Sequence, residues 1–367
     1  MKHQTLDHLQ FRNLLVSHSL FPPTNLKRAV EQLGFVQADP IRSPARSQDL
    51  ILRHRVKNYK AGDLERKYPS LELEEDYTFA YGFLPREFRN ILHPRSHDRL
   101  SAFERKVIEA VEARGPSQSG DLDTHCGNRS VKNAWGGRSK ATKQALEIGH
   151  HFGYLRVARR DNGIRVYEIA PKVYQELDPA ERFEKLLLLT TRLFGPTAQN
   201  FLLSELRHNN PVRNTKDRKR ILHGLIERGK LDVIQFDGVE YLCTKPAKPR
   251  VILDDTAKFL APFDPIVRDR DRFERLWGWT YRFEAYTPAS KRVRGYYAMP
   301  ILWQNDVIGW ANAQVVESHL LIEIGYEQRP RHFRSFKSAL EQEVSDLTSF
   351  LHLKPDAWKI TKHPSSK

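Results

Sequence analysis

The chain has 367 residues and carries 60 Lys and Arg against 45 Asp and Glu, a formal net charge of +15. No apolar run reaches the roughly 18 residues of a membrane-spanning helix, and two cysteines, Cys126 and Cys243, with no CxxC or HExxH pattern, exclude a disulfide framework and leave no metal centre to expect. The basic excess calls for a polyanionic partner, because each neutralised phosphate releases condensed counterions, and the opening MKHQTLDHLQ lacks an apolar signal core, so a cytoplasmic location is expected.

Residues 6–20 read as a helix ended by Pro22-Pro23, and Asn25 is placed to cap a second helix through Leu33. GFVQADPI follows, and SQDLILRHRV at 47–56 is a third helix with basic residues near its end. Leu100, Phe103, Val107, Ile108 and Val111 recur at spacings of three and four, a helix ended by Gly115-Pro116. A second short helix follows, and Ser139 is placed to cap another that holds Ala145, Leu146 and Ile148 and ends at Gly153. YLRVARRDNGIRVYEIA is then a basic hairpin, with Asn162-Gly163 suited to a type I′ turn.

Three helices and a basic hairpin make the order of a winged helix-turn-helix module. The order recurs with helices at 181–193, 197–208 and around Ile221, Leu222, Leu225 and Ile226, ended by Gly229, and with a hairpin turning at Asp237-Gly238. TKPAKPR at 244–250 marks a linker or edge strand. Beyond it YRFEAYTP, VRGYYAMPILW and VIGWANAQVV read as strands, with a turn at Asn305-Asp306. A last helix carries Phe333, Phe336, Leu340, Val344, Leu347 and Leu351 on one stripe, which packs on the strands as core. The expected fold is α+β: three tandem winged helix-turn-helix modules at 1–98, 99–178 and 179–248, then a strand-rich region with a terminal helix at 249–355.

Two constellations carry chemistry. In an extended Gln37-Ala38-Asp39 the amide and carboxylate face one way and can orient and deprotonate a water beside a cationic sugar. The competing reading, favoured by spacing alone, makes Asp39 a helix N-cap with Pro40 at the first helical position. The second constellation is basic. Arg42, Arg46, Arg53 and Arg55 lie in the first module; Arg138, Lys140, Lys143, Arg156, Arg159, Arg160 and Arg165 in the second; Arg213, Lys216, Arg218, Lys219 and Arg220 in the third. Their clustering at third helices and hairpins favours DNA contact over a solvated basic surface. FDPIVRDRDRFERLWGW alternates in sign from Arg268 to Arg272, as a self-paired surface does. Lys291, Arg292 and Arg294 beside Tyr296-Tyr297 on a strand either hold phosphates or protect a sheet edge.

These residues together resemble the YcaQ/AlkZ-like family of winged-helix DNA glycosylases, which unhook crosslinks, over about residues 5–350. GFVQADPIRSPARSQDLILRHRV resembles the family's catalytic segment, with Gln37-Ala38-Asp39 at its glutamine–apolar–acid or amide motif. FAYGFLP resembles the A-H-E-x-x-F-L-P stretch, except that Phe79 stands at the histidine and Ala80 at the glutamate. APFDPIVRDRDRFERLWGWTYRFEAY and PASKRVRGYYAMPIL resemble the C-terminal signature.

The resemblance implies a monofunctional glycosylase for alkylated purines, N7-linked crosslinks among them, with Gln37 and Asp39 catalytic, double-stranded DNA as partner, a monomeric chain and no cofactor. An N7-alkylguanine is already cationic and leaves without an enzyme acid. Asp39 then stabilises the cationic sugar and takes the proton of a water that Gln37 holds through its amide oxygen or nitrogen. The alternative, prompted by Phe79, is a non-catalytic winged-helix regulator or lesion binder.

Overall fold

A computed structural model describes residues 4–93, 100–132, 136–172, 177–207, 211–244, 255–328, 330 and 332–363. The expected boundaries at 98 and 248 lie outside these residues, as does all of the expected linker except Thr244. The chain mixes helix and strand throughout. It opens with β1 (Gln4–Thr5), α1 (His8–Ser19), α2 (Leu26–Leu33), β2 (Val36–Gln37), α3 (Ser47–Leu52), α4 (Asp63–Lys67), β3 (Leu73–Tyr77), β4 (Tyr81–Pro85) and α5 (Arg89–Leu92). Then come α6 (Ala102–Arg114), α7 (Ser119–Cys126), β5 (Ser130–Lys132), β6 (Arg138–Lys140), α8 (Ala141–His151), β7 (Leu155–Asp161) and β8 (Ile164–Ile169). A third group holds α9 (Pro179–Phe194), β9 (Thr197–Ala198), α10 (Gln199–Glu205), α11 (Thr215–Glu227), β10 (Leu231–Phe236) and β11 (Val239–Thr244). The last comprises β12 (Ala257–Phe259), α12 (Pro265–Arg268), α13 (Arg270–Trp277), β13 (Met299–Trp303), β14 (Asp306–Val316), β15 (His319–Tyr326), α14 (Phe333–Phe350) and β16 (Trp358–Lys362).

Local chemistry starts most of these helices. Asp7 with Gln10 and Ser101 with Glu104 form capping boxes for α1 and α6, and Asn25 caps α2. The hairpins β7–β8 and β10–β11 close on Asn162-Gly163 and Asp237-Gly238, with φ of 52° and 82°, and 48° and 69°, as type I′ turns require. Ser139 caps no helix. It lies in β6, paired with Val131, and the N-cap residue of α8 is Lys140. The β13–β14 turn is Gln304-Asn305, one residue earlier than expected, because Trp303 pairs with Asp306.

The segment 281–297 forms no strand, although its alternation reads as one. Glu284 is buried and accepts from the backbone N–H groups of Val293 (3.0 Å), Arg294 (2.8 Å) and Gly295 (3.2 Å), which removes them from any ladder. The C-terminal sheet instead runs β12-β13-β14-β15-β16, and α14 packs on it through Phe336, Leu340, Val344 and Leu347, with Trp303 against Phe336 at 5.4 Å.

Three apolar clusters hold the fold. That of α6, α7, α8 and β7–β8, with Val107, Leu122, Leu146 and Val157, draws on residues 99–178 alone. The other two cross the chain. One joins α2, α3 and β4 to α9, α11, the C-terminal sheet and α14. The other joins α1 to β10–β11 and α13; Phe11 stacks on Phe236 at 4.4 Å, and β1 extends the same sheet by pairing parallel to β10.

Much of the charged signature turns inward rather than pairing with itself at the surface, although Asp271, Glu274 and Arg275 are exposed. Arg55 and Asp264 are without exposure and form a two-pronged ion pair at 2.8 and 3.1 Å. Arg272 is fully buried and donates to the carbonyls of Phe194, Pro196 (2.7 Å) and Pro265 (2.6 Å). Arg270 donates to those of Val267 (2.6 Å) and Pro262 (2.8 Å), and burial pulls its pKa down to about 10. Asp264→Asn, which keeps the α12 cap but strands the Arg55 charge, is expected to cost about 3–5 kcal/mol in urea unfolding. Lys185→Ala, which breaks the exposed Glu181–Lys185 pair, should cost under about 1 kcal/mol.

Candidate functional site

Gln37 ends β2, which pairs with β4 so that Gln37 faces Gly82. The Ala38 N–H continues the contact, donating to the Tyr81 carbonyl at 2.9 Å. Only glycine permits this approach: a Cβ at position 82 would lie 2.3 Å from the Val36 carbonyl oxygen and 2.5 Å from the Phe35 ring. The strand delivers Gln37 to a cavity of about 10 Å³ walled by Phe35, Phe79, Phe194, Phe263 and Pro265. Arg268 closes it. Its Nη1 donates to Gln37 Oε1 at 2.9 Å and its Nη2 to Glu205 Oε2 at 2.9 Å, while the guanidinium lies 5.3 Å from the Phe79 ring. Burial raises the Glu205 carboxyl above its ordinary range, against the opposing charge of Arg268.

Asp39 is half-buried and starts no helix, which overturns the N-cap reading. Residues 38–46 are irregular, and α3 begins at Ser47 with Arg46 in the cap position. Asp39 Oδ1 accepts from the Ile41 N–H at 2.8 Å, an Asx turn, and its own N–H donates to Gln48 Oε1 at 3.2 Å. Burial raises its carboxyl pKa; the Ile41 N–H opposes the rise. Tyr297 lies nearby, its hydroxyl pushed far up by burial first and then by the charge of Asp39. The Tyr297 ring meets Phe283 at 5.4 Å, and Phe283 meets Phe263 at 5.0 Å. An aromatic floor therefore runs from the Gln37 cavity toward Asp39. Behind Asp39, Gln48 Nε2 donates to Glu65 Oε1 at 3.2 Å, and Arg46 pairs with the same carboxylate.

Phe79 occupies the β3–β4 turn, where the Thr78 N–H donates to the Ala80 carbonyl. Its ring packs against Phe35 at 5.0 Å and Phe194 at 5.1 Å. The position thus supplies an apolar wall and a face for Arg268, and no titratable group.

The basic residues divide. Arg42, Lys140, Arg159, Lys219 and Lys291 are exposed, with Lys140 paired to Asp123 and Arg159 to Asp161. Arg218 is half-buried and donates to the carbonyls of Val212 and Arg213 at 2.7 Å each. Arg292 donates to the Thr287 carbonyl at 2.8 Å and lies 5.0 Å from the Tyr296 ring. Four others turn inward and pair within the fold instead of offering surface contacts: Arg46, held by Glu65, and three more. Arg53 is buried against Glu343. Arg294 is held by Glu327 at 2.6 Å and lies over the Trp279 ring at 4.6 Å. Arg160 binds Glu75 at 2.7 and 2.5 Å, joined there by Arg165 at 3.7 Å.

Glu75 belongs to a buried acidic strand, Glu74-Glu75-Asp76, whose neighbour Glu74 faces Arg156 at 3.5 Å. Burial opposes both charges of the Arg160–Glu75 pair, but their hydrogen bonds win, lowering the carboxyl pKa and raising that of the guanidinium. Sequence reasoning missed Glu205 and the roles of Tyr297 and Arg268. The sign alternation flagged the segment of Arg268, but nothing marked Glu205.

A sequence profile described as DNA glycosylase AlkZ-like matches residues 30–350. This chain belongs to the AlkZ-like DNA glycosylase family. Membership assigns it a DNA glycosylase role in repair and, with it, DNA binding. Among solved structures, the Streptomyces sahachiroi DNA glycosylase AlkZ is similar in fold, with a TM-score of 0.64 over 98% of this chain and 100% of that one at 12% identity. As a DNA glycosylase, the chain should respond differently to two neighbouring charge reversals. Arg160→Glu sets two acids together in a buried site and is expected to cost about 3 kcal/mol or more, read as a lower melting temperature. Arg159→Glu, at the exposed position, should melt like the wild type and bind duplex DNA more weakly in a fluorescence titration.

Proposed function

We propose that the chain hydrolyses the N-glycosidic bond of alkylated purines, N7-alkylguanine and its crosslinks included, as a monofunctional glycosylase built on three winged-helix modules. The observation that carries the reading is the placement of Gln37 and Asp39, both half-exposed, along one aromatic floor with the Gln37 amide anchored by Arg268. The Gln37 cavity is about the size of one water, so a nucleobase stays outside it. No lysine lines that cavity among the described residues, which favours water over a Schiff-base nucleophile.

The reaction needs little acid help, because the alkylated base leaves as a neutral molecule. As the C1′–N9 bond lengthens, positive charge builds on the sugar and Asp39 faces it in a partly desolvated site, where a fixed charge acts strongly. A water oxygen attacks C1′ and its proton passes to the Asp39 carboxylate. Arg42, Lys140, Arg159, Lys219 and Lys291, which point to solvent, hold backbone phosphates in this scheme, and the salt dependence of binding follows their number. Phe79, where the family pattern has histidine, favours a second reading: a lesion-binding protein without base release.

The raised pKa of Asp39 fixes the sign of the pH dependence. The carboxylate form is the active one, so base release should climb with pH through a limb lying above the ordinary carboxylate range. Asp39→Asn is expected to remove that limb and to slow release of N7-methylguanine about a hundred- to a thousandfold. It should leave DNA affinity equal or raised. Its melting temperature should hold or rise near neutral pH, because asparagine keeps the Ile41 bond and relieves the buried charge. A normally folded Asp39→Asn protein that releases base at the wild-type rate would refute the assignment.

A further inference from the structure

The Gln37 amide has two chemically opposite ends, and the structure decides which end meets the substrate. Arginine carries five N–H donors and no acceptor, so the Gln37 atom 2.9 Å from Arg268 Nη1 is the amide oxygen on chemical grounds. A planar carboxamide holds its oxygen and nitrogen on opposite sides of the same carbon. With Oε1 spent on Arg268, Nε2 and its two hydrogens point away from the guanidinium.

Arg268 is itself fixed from two other directions. Glu205 takes its second nitrogen at 2.9 Å, and the rings of Phe79 and Phe263 lie 5.3 and 6.0 Å from its guanidinium carbon. Both members of the ion pair are mostly buried, with side-chain exposures of 21% and 14%, so the contact is weakly screened. The pairing also answers an electrostatic difficulty. A bare guanidinium next to a sugar that is becoming cationic would oppose the reaction. Glu205 offsets that charge and leaves the donor geometry in place.

We infer that Arg268 is a positioning residue for glycosidic bond hydrolysis: it clamps the Gln37 amide so that Nε2–H, and not Oε1, faces the reacting sugar, with Glu205 neutralising the clamp and Phe79 supporting its face. This rests on the reading of Gln37 and Asp39 as the reacting pair. In that geometry one Nε2–H donates to a lone pair of the attacking water. The water's other lone pair forms the bond to C1′, one of its protons goes to Asp39, and the electrons of the C1′–N9 bond neutralise the cationic purine. Phe79 thereby acquires a use at the position where the family pattern has histidine.

The test is a double-mutant cycle on single-turnover release of N7-methylguanine from duplex DNA, with enzyme in excess. Arg268→Met is expected to slow release between about ten- and a hundredfold, the cost of a mispositioned group, with the DNA dissociation constant within about twofold. Arg268→Lys, which keeps the charge and the Glu205 pair but cannot bridge both partners, should fall between Met and wild type. Glu205→Gln should slow release while leaving DNA affinity unchanged or raised.

Acting through Gln37 means that Arg268→Met adds nothing in a Gln37→Ala background. Equal slowing in both backgrounds would overturn the inference, as would a wild-type rate for Arg268→Met. If Arg268→Met does not fold, the Lys and Gln variants decide by the same cycle. If Gln37→Ala and Asp39→Asn both release base at the wild-type rate, the reading of the reacting pair fails instead, and the inference falls with it. Slow Gln37→Ala with an indifferent Arg268 sinks the inference alone.

Discussion

The arrangement around Gln37 depends on burying charge beside groups that compensate it. Moving an ion pair out of water costs several kcal/mol per ion, recovered only when the geometry is good and every remaining donor and acceptor is met. Arg55 and Asp264 satisfy that condition. The guanidinium grips both carboxylate oxygens, then donates to the carbonyls of Ser19 (2.8 Å) and Ile51 (2.7 Å), and Asp264 also accepts from the Ile266 N–H at 3.1 Å. The end of α3 is thereby joined to the start of α12. Arg268 stands one helical turn beyond Asp264, so its reach to Gln37, 231 positions away in sequence, follows from that junction. Arg272 does the same for the end of α9 by collecting carbonyls from both sides.

The other large use of charge lies between segments. β3 carries three consecutive buried acids, and Arg156, Arg160 and Arg165 of hairpin β7–β8 turn toward it. Asp76 adds His93 at 2.6 Å, and His150 of α8 meets the Glu75 carbonyl at 3.0 Å. A hairpin rich in arginine therefore serves as an internal fastener. The count of 60 Lys and Arg overstates the side chains left for a polyanion, because those paired inside are committed before any ligand arrives.

The sequence was most informative where structure is decided locally. Asn162-Gly163 and Asp237-Gly238 impose their turns through backbone preference alone, and the stripe of α14 needs only a sheet to cover it. It was least informative where a long polar side chain chose between partners. Arg159 and Arg160 are adjacent and chemically identical, yet one is exposed and the other meets Glu75, because strand alternation sends them to opposite faces. The alternation in 281–288 and from Val293 onward reads as strand, since no local pattern reveals that Glu284 will take three backbone donors. Gln37 and Asp39 were legible as a motif. Their supports were not: Glu205 and Tyr297 reach the site only through tertiary packing, and Arg268 was hidden in a segment whose charges looked self-sufficient.

The inward hairpin also carries a mechanical consequence. Ion pairs join the segment of α6 to β8 to the β2–β4 sheet, and opening them would leave buried charge unpaired. A junction that resists opening would leave the adjustment of shape to a double helix docked on it, where the adjustment is elastic. DNA is stiff over about 150 base pairs, and bending a short stretch costs on the order of 1–6 kcal/mol, with a strong dependence on the sequence and stacking being bent. A stretch whose stacking is already weakened would bend against such a junction at lower elastic cost than intact DNA.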